Sequence, residues 1–192
     1  MVMVMIPRSG HYMVAEACIK NKKPMITTDF MHEGILKYHE EAKEAGIIIM
    51  TELGEDPGLD NMSAARMIDR IKDEGGRVLD LTSYGAGLPS FEDNNNPFGY
   101  KFSWDPKGLM RSAVSPAAIV KNGQRIEIPK KFEAHRLVDV YGIGTFETYP
   151  SSDSSRYIKL FDLDDDVTVY KGLLRFVGWC NTITAFLKIG LI

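Results

Sequence analysis

Cysteine is scarce: Cys18 and Cys180 are the only two in 192 residues. Two thiols make no disulfide framework, and both sit in apolar helical contexts. Reduced, buried thiols and a cytoplasmic or mitochondrial-matrix setting are therefore expected. No apolar run approaches membrane-spanning length, so no membrane partner is expected. The apolar start MVMVMIP has no basic residues before it and is followed by Arg8 and a polar turn, so it reads as a buried strand rather than a signal peptide. Lys and Arg nowhere cluster, and the net charge is −3, which excludes a nucleic-acid footprint. His11, His32, His39 and His135 have no metal-ligand spacing among themselves or with the cysteines, so no metal site is expected. Asp162-Leu-Asp-Asp-Asp166 lacks the central Gly and terminal Glu of a calcium loop and reads as a solvated turn. No G-x-S-x-G nucleophile motif occurs. The G-x-G-x-x-G dinucleotide turn is absent too. Its nearest match, Gly142-Ile-Gly144, continues Thr-Phe-Glu and reads as part of a strand or turn.

What remains is a chain with 44% hydrophobic and 10% aromatic residues, enough for a real core in one large domain or two small ones. Its first third alternates. Val2–Ile6, Pro24–Thr27 and Ile47–Met50 read as strands. Between them lie a helix at His11–Lys22, with Met13, Val14, Ala17 and Cys18 inward, and a helix at Glu33–Ala45, with Ile35, Leu36, His39 and Ala42 inward. This βαβαβ order predicts a parallel sheet, half of a doubly wound fold. A sheet beginning at Val2 also offers an unpaired strand edge, which favours a homodimer or a second chain that supplies the other half.

Asn61–Glu74 reads as a helix with the stripe Met62, Ala65, Ile68 and Ile71, ended by Gly75-Gly76. Asn122-Gly123 joins Ala117–Lys121 and Arg125–Ile128 in a hairpin. Strands follow at Leu137–Val140, Thr145–Tyr149 and Val167–Val177, and a last helix at Asn181–Lys188. A mixed sheet with helices on one face is the natural assembly. The strand Val78–Thr82 runs into the long loop SYGAGLPSFEDNNNPFGYKFSW, Ser83 to Trp104, where Gly, Pro and Asn leave no regular element standing. Six aromatic side chains punctuate this loop. They either pin it to the core or line a functional surface.

GLP, then E..NNP, then GYKFSW in that loop resembles the saccharopine dehydrogenase (glutamate-forming), or saccharopine reductase, family. Gly54-Glu-Asp-Pro-Gly-Leu-Asp60, Lys171-Gly-Leu-Leu-Arg-Phe176 and Phe186-Leu-Lys-Ile-Gly-Leu191 support the resemblance, which covers nearly the whole chain. It implies hydride transfer between a nicotinamide dinucleotide, NADP or NAD, and the imine that couples aminoadipate semialdehyde to glutamate. It also implies the fold class: α/β plus α+β, the C-terminal half of a Rossmann-like parallel sheet over residues 1–58, followed by a mixed-sheet substrate domain over residues 59–192. In that family the glycine fingerprint lies upstream of the point where this sequence starts, so a truncated member is expected.

Parallel sheets bind ligands at the carboxyl ends of their strands. By resemblance, Ile6 and Pro7 contact the dinucleotide, Asp29 and Phe30 lie between dinucleotide and substrate, and Glu55, Asp56 and Pro57 reach both. Asp105 joins the cofactor set. The amino-acid substrate would meet Phe30, Asp56, Ser152, Gly172, Leu173, Leu174 and Arg175. Asp56 is the catalytic candidate, since a carboxylate before a Pro-Gly turn suits holding an ammonium or iminium near the hydride donor. Its plainer role is to shape the turn, with Asp60 capping the next helix. A ligand with several carboxylates also asks for cations, and Lys101, Arg111, Arg156 and Lys171 join Arg175 as candidates. The chain departs from the family where Phe30 replaces Tyr, Gly85 replaces Cys, Asn61 replaces His and Ser152 replaces Arg. Loss of that Arg removes a bidentate carboxylate clamp, for which Arg156 is a shifted substitute. The alternative reading is a non-catalytic relative that serves as a binding or assembly module.

Overall fold

The computed structural model describes all residues, 1–192, and divides into two compact units, Met1–Met67 and Ile68–Ile192. In the first unit, β1 (Val2–Val4), β2 (Met25–Thr27) and β3 (Ile49–Met50) form a parallel sheet in the order β1-β2-β3. The helix α1 (His11–Lys20) connects the first two strands, and α2 (Glu33–Leu36) and α3 (His39–Glu44) connect the second pair. The βαβαβ expectation holds, with strands shorter than the apolar runs suggested.

Two details differ from the sequence expectations. The buried face of α1 is His11, Ala15 and Cys18, with Val14 half-buried, whereas Met13 and Ala17 are exposed. His11 sets this face, because its ring Nε2 lies 3.0 Å from the Ile6 carbonyl oxygen and so donates to it. The expected single helix over Glu33–Ala45 is interrupted between Leu36 and His39. The break turns Tyr38 inward, where it is buried and its hydroxyl donates to Glu16 Oε1 at 2.5 Å, while Leu36 and His39 stay exposed. Val4, Met25, Ile35, Tyr38, Ala42 and Ile47 share this unit's core with Ala15 and Cys18.

The helix α4 (Leu59–Asp73) carries the chain into the second unit. Its buried positions are Ala64 and Ile68, while Met62 and Ile71 are exposed and Ala65 is half-buried. The second unit holds β4 (Asp80–Gly85), α5 (Pro106–Val114), β5 (Ala117–Lys121), β6 (Gln124–Ile128), β7 (Arg136–Val140), β8 (Gly144–Pro150), α6 (Arg156–Leu160), β9 (Thr168–Arg175) and α7 (Trp179–Lys188). The sheet runs β6-β5-β9-β8-β7, and β4 pairs parallel with β9. β4 reaches further than expected, taking Ser83, Tyr84 and Gly85 out of the long loop, because each of them pairs with β9. The hairpin turn is as expected: Asn122 and Gly123 both have positive φ, 47° and 76°, the signature of a tight two-residue turn. At Gly123 a Cβ would lie 2.1 Å from the Asp165 carbonyl oxygen, so glycine is required twice over. Gly142 lies in the turn between β7 and β8, and Gly144 opens β8. The aspartates of the turn at 162–166 are exposed while Leu163 is buried between them, and Asp164 and Asp166 pair with Arg77.

β9 is the hub, bonded to β4, β5 and β8. Alternation places Val167, Val169, Lys171, Leu173 and Arg175 on one face. That face feeds one core around Val167, Val169, Ile68, Val120 and Tyr157, and another around Tyr100, Tyr149, Trp179 and Ile183, against which Leu173 packs. The second core depends on Glu147, only 2% exposed. Its two oxygens accept from the Gly178 and Cys180 N–H groups, each at 2.8 Å, and so satisfy the first turn of α7 from a neighbouring strand. Cys18 and Cys180 are both buried and free, and burial raises both thiol pKa values.

Glu147→Ala would leave the N–H groups of Gly178 and Cys180 without their acceptor, and at roughly 1–3 kcal/mol for an unsatisfied buried group a loss of that order or more is expected in urea unfolding, with Glu147→Gln losing less. Lys131 gives a pH test. It is buried, its Nζ donates to the Ser112 carbonyl, and burial lowers its pKa to about 8. The folded state therefore resists protonating a group that the unfolded chain protonates up to its ordinary 10.5. The resulting penalty is full below pH 8 and is relieved as pH rises toward 10.5. The stability of wild type relative to Lys131→Met should accordingly rise across that window, as read from paired denaturation curves.

Candidate functional site

In the first unit, hydrogen bonds draw the carboxyl ends of the strands together. After β1, Arg8 grips Asp29 after β2 with two bonds, Nε to Oδ2 at 2.7 Å and Nη2 to Oδ1 at 2.6 Å. The Phe30 N–H also donates to Asp29 Oδ1 at 2.8 Å. Burial by itself raises the Asp29 carboxyl, but Arg8 and the Phe30 N–H outweigh it and hold the pKa below its ordinary value. After β3, the Glu52 N–H donates to the Asp29 carbonyl at 2.9 Å and the Leu53 N–H to that of Thr27 at 3.1 Å.

The next turn, Gly54 to Gly58, is closed on itself. Gly54 N–H donates to the Pro57 carbonyl at 2.9 Å, and the Asp56–Pro57 peptide is cis. Gly58 has φ 150°, and a Cβ there would lie 2.1 Å from the Gly54 carbonyl oxygen, so no side chain fits. Asp60 lies inside α4 rather than at its cap, and its Oδ1 accepts from the Gly58 N–H at 2.7 Å, reaching back into the turn. Asp56 projects from this turn half-buried. Pro7, then Asp29 and Phe30, then Glu55, Asp56 and Pro57 thus follow the carboxyl ends of β1, β2 and β3 at one end of the sheet, and Ile6 exposes 47% of its surface. The structure also brings His11 and His32 against Asp29. Sequence spacing hid this pair, since each histidine lies in or beside a different βα connection. The only available signal was that both follow strand ends.

In the second unit, Arg175 is 3% exposed at the end of β9. Its guanidinium carbon lies 5.0 Å from the Tyr100 ring centroid, 5.5 Å from that of Trp179 and 5.9 Å from that of Tyr149. Glu147 stands opposite Arg175 in the β8–β9 register, and each of its oxygens accepts one N–H from the start of α7. Arg175 Nη1 donates to the Leu174 carbonyl at 2.8 Å, and its Nε is buried without an acceptor. Trp179 Nε1 is likewise buried without an acceptor in hydrogen-bonding geometry, with the Tyr149 hydroxyl as its polar neighbour. Burial pushes the Tyr149 phenol up to about 12, so it stays neutral as a potential donor.

The long loop supplies one wall of this cluster. Trp104 Nε1 donates to the Tyr100 hydroxyl at 3.0 Å, and Asn96 Nδ2 to the Tyr100 carbonyl at 3.0 Å. Phe91 packs edge-on against Phe176 and Phe98 against Phe186. The loop aromatics thus pin the loop, although Phe91, Phe98, Phe102 and Trp104 each keep a large exposed surface.

The other substrate candidates divide. Leu173 shares Arg175's face, whereas Gly172 and Leu174 face the opposite way. A Cβ at Gly172 would lie 2.6 Å from Thr148 Oγ1, so close strand packing explains this glycine. Ser152 is exposed, and its carbonyl is bonded to Ala118 N–H. The neighbouring Asp153 is engaged by Arg125 at 2.9 Å, while the Arg156 guanidinium lies 5.2 Å from the Tyr157 ring centroid. Asp105 caps α5, accepting from the Lys107 N–H at 3.0 Å and from Arg111 at 3.1 Å. Lys101 pairs with Asp93 at the surface, and Lys171 is buried with its N–H bonded to Ser154 Oγ.

Two family models match the chain: the saccharopine dehydrogenase NADP binding domain over residues 1–50 and the saccharopine dehydrogenase C-terminal domain over residues 54–192. The chain is 34% identical over 195 residues to the mitochondrial alpha-aminoadipic semialdehyde synthase of Rattus norvegicus, covering 100% of this chain and 21% of that protein. It is 34% identical over 188 residues to the saccharopine dehydrogenase [NADP(+), L-glutamate-forming] of Schizosaccharomyces pombe, covering 97% and 42%. The solved apo saccharopine dehydrogenase (L-Glu forming) of Saccharomyces cerevisiae superposes with a TM-score of 0.89 at 30% identity, covering 98% of this chain and 43% of that one. The chain thus spans less than half the length of these relatives. No helix is long and apolar enough to cross a membrane. With the C-terminal domain model matched over most of its length, the chain belongs to the saccharopine dehydrogenase family.

Proposed function

We propose that this chain contributes to an NADP(H)-dependent oxidoreductase that interconverts saccharopine with glutamate and aminoadipate semialdehyde. The observation that carries this reading is the pair of buried donors without acceptors, Arg175 Nε and Trp179 Nε1, in one cluster of the second unit. A buried cation with an Nε–H that lacks an acceptor is suited to an incoming carboxylate, and saccharopine carries several. Trp179 and the neutral Tyr149 hydroxyl add directional donors, and the rings of Tyr100 and Trp179 keep water from competing.

The first unit fits part of a dinucleotide. Ile6 and Pro7 offer apolar surface to a flat ring, and the carboxylates of Asp29 and Glu55 can accept from ribose hydroxyls. The glycine turn that would receive a pyrophosphate is not among these residues. When bound, NADPH supplies the hydride that reduces the imine carbon. Asp56 holds the protonated nitrogen of that imine, favouring the iminium, which is the better hydride acceptor. In the reverse direction the same carboxylate steadies the ammonium of saccharopine until its proton leaves. The reacting nitrogen carries its own proton, so no separate general acid is required. Phe30 offers packing but no hydroxyl at its position, and Ser152 offers no cation, so Arg175 carries most of the carboxylate recognition.

Calorimetric titration of saccharopine into the protein should show saturable binding. Truncating one partner of a buried charge pair costs roughly 2–5 kcal/mol, so Arg175→Gln should weaken binding by about 30-fold or more. Equal affinity in the two proteins would overturn the assignment. For the cofactor, NADPH fluorescence should change saturably on addition of protein. An unchanged signal at high protein concentration would remove the dinucleotide from the first unit's role.

A further inference from the structure

The first unit contains two histidines that hydride transfer does not use, His11 and His32, clustered on Asp29, which the proposed dinucleotide site shares. His11 is 1% exposed, and its Nε2 lies 3.0 Å from the Ile6 carbonyl oxygen. A carbonyl only accepts, so the ring proton sits on Nε2 and the lone pair on Nδ1. Nδ1 is buried and has no hydrogen-bond partner. His32, just before α2, likewise has a buried Nε2 without a partner. The two rings lie 6.1 Å apart, centroid to centroid, and the candidate donor atoms of His11, His32 and Asp29 lie within 4.8 Å of one another.

A buried imidazole lone pair without a partner is costly, and a second buried ring nitrogen without a partner beside it adds to the cost. The arrangement matches a metal ligand set. Metal-bound histidines usually donate their other N–H to a carbonyl or carboxylate, which fixes the tautomer, and His11 already does so. Two imidazoles and a carboxylate suit zinc and neighbouring first-row divalent cations rather than calcium or magnesium.

We propose that His11 Nδ1, His32 Nε2 and an Asp29 oxygen form a binding site for a zinc-class divalent cation. The site ties the connection after β1 to the connection after β2. Three protein ligands leave a fourth, open position at the sheet end where the other candidate residues gather. Ligand distances of about 2.0–2.2 Å require the donors to close inward by up to roughly 1 Å. His32 precedes a short helix, and Gly34 leaves room for its ring: a Cβ there would lie 3.0 Å from His32 Nδ1. Arg8 is the competitor. Its side chain is 52% exposed, so it can release Asp29 into a cation's reach and turn to water.

The test is calorimetric titration of zinc ion into the purified protein, with cobalt ion absorbance reporting the coordination geometry. One equivalent should bind saturably, and cobalt should give the intense visible bands of a four-coordinate site. His32→Ala and Asp29→Asn, checked for folding by circular dichroism, should each weaken zinc binding by more than the roughly 10–100-fold expected for losing an outer partner. Arg8→Ala should tighten it, because a competing cation leaves Asp29. His39→Ala should bind as wild type does. The proposal is overturned if no saturable equivalent binds, or if folded His32→Ala and Asp29→Asn proteins keep wild-type affinity. Failure of Arg8→Ala to tighten binding would remove Asp29 from the ligand set. None of these readouts depends on hydride transfer, so the metal site and the proposed function stand or fall separately.

Discussion

The second unit is arranged around the carboxylate of Glu147. A buried anion on a central strand needs compensation, and it takes it from the N–H groups of Gly178 and Cys180 at the start of α7. Those bonds fix where α7 begins and seat Trp179 and Ile183 in the core. The same carboxylate faces Arg175 across the β8–β9 ladder. The guanidinium is left with ring faces and a single carbonyl. Its Nε is left buried without an acceptor.

The first unit solves a different problem. Short parallel strands leave backbone groups at their carboxyl ends, and the connections satisfy each other there. Asp29 accepts Arg8 through its side chain and Glu52 through its carbonyl, so one residue joins three strand ends. The turn from Gly54 to Gly58 closes the edge and presents Asp56. This polar, partly exposed edge is where a doubly wound sheet binds its ligands. The chemistry proposed for it rests on that placement and on family membership.

Much of the architecture was legible in the sequence because local signals agreed with the final packing. Asn122-Gly123 dictated a tight hairpin, and alternating apolar runs with helical stripes dictated the parallel unit. Misreadings arose where tertiary contacts override periodicity. The carbonyl bond of His11 rotates α1 away from Met13, and the inward turn of Tyr38 breaks a helix that propensity alone would continue. β4 absorbs Ser83 to Gly85 because β9 offers them partners, which no local rule reveals. At the candidate site, the Gly54-to-Gly58 turn and Arg175 were visible as motif and as an Arg among apolar residues. The roles of Glu147, Trp179 and the His11–His32 pair were not, because each depends on elements distant in sequence.

The central claim is that Arg175 is held buried with donors available for a substrate carboxylate. The most direct measurement follows the Arg175 Nε–Hε resonance by NMR, assigned by its disappearance in Arg175→Lys, while L-glutamate and then saccharopine are added. The account predicts a saturable shift and slowed exchange of that proton, with a parallel shift of Trp179 Nε1–Hε1. A resonance that stays fixed while other signals report ligand binding would contradict it and place the carboxylate elsewhere.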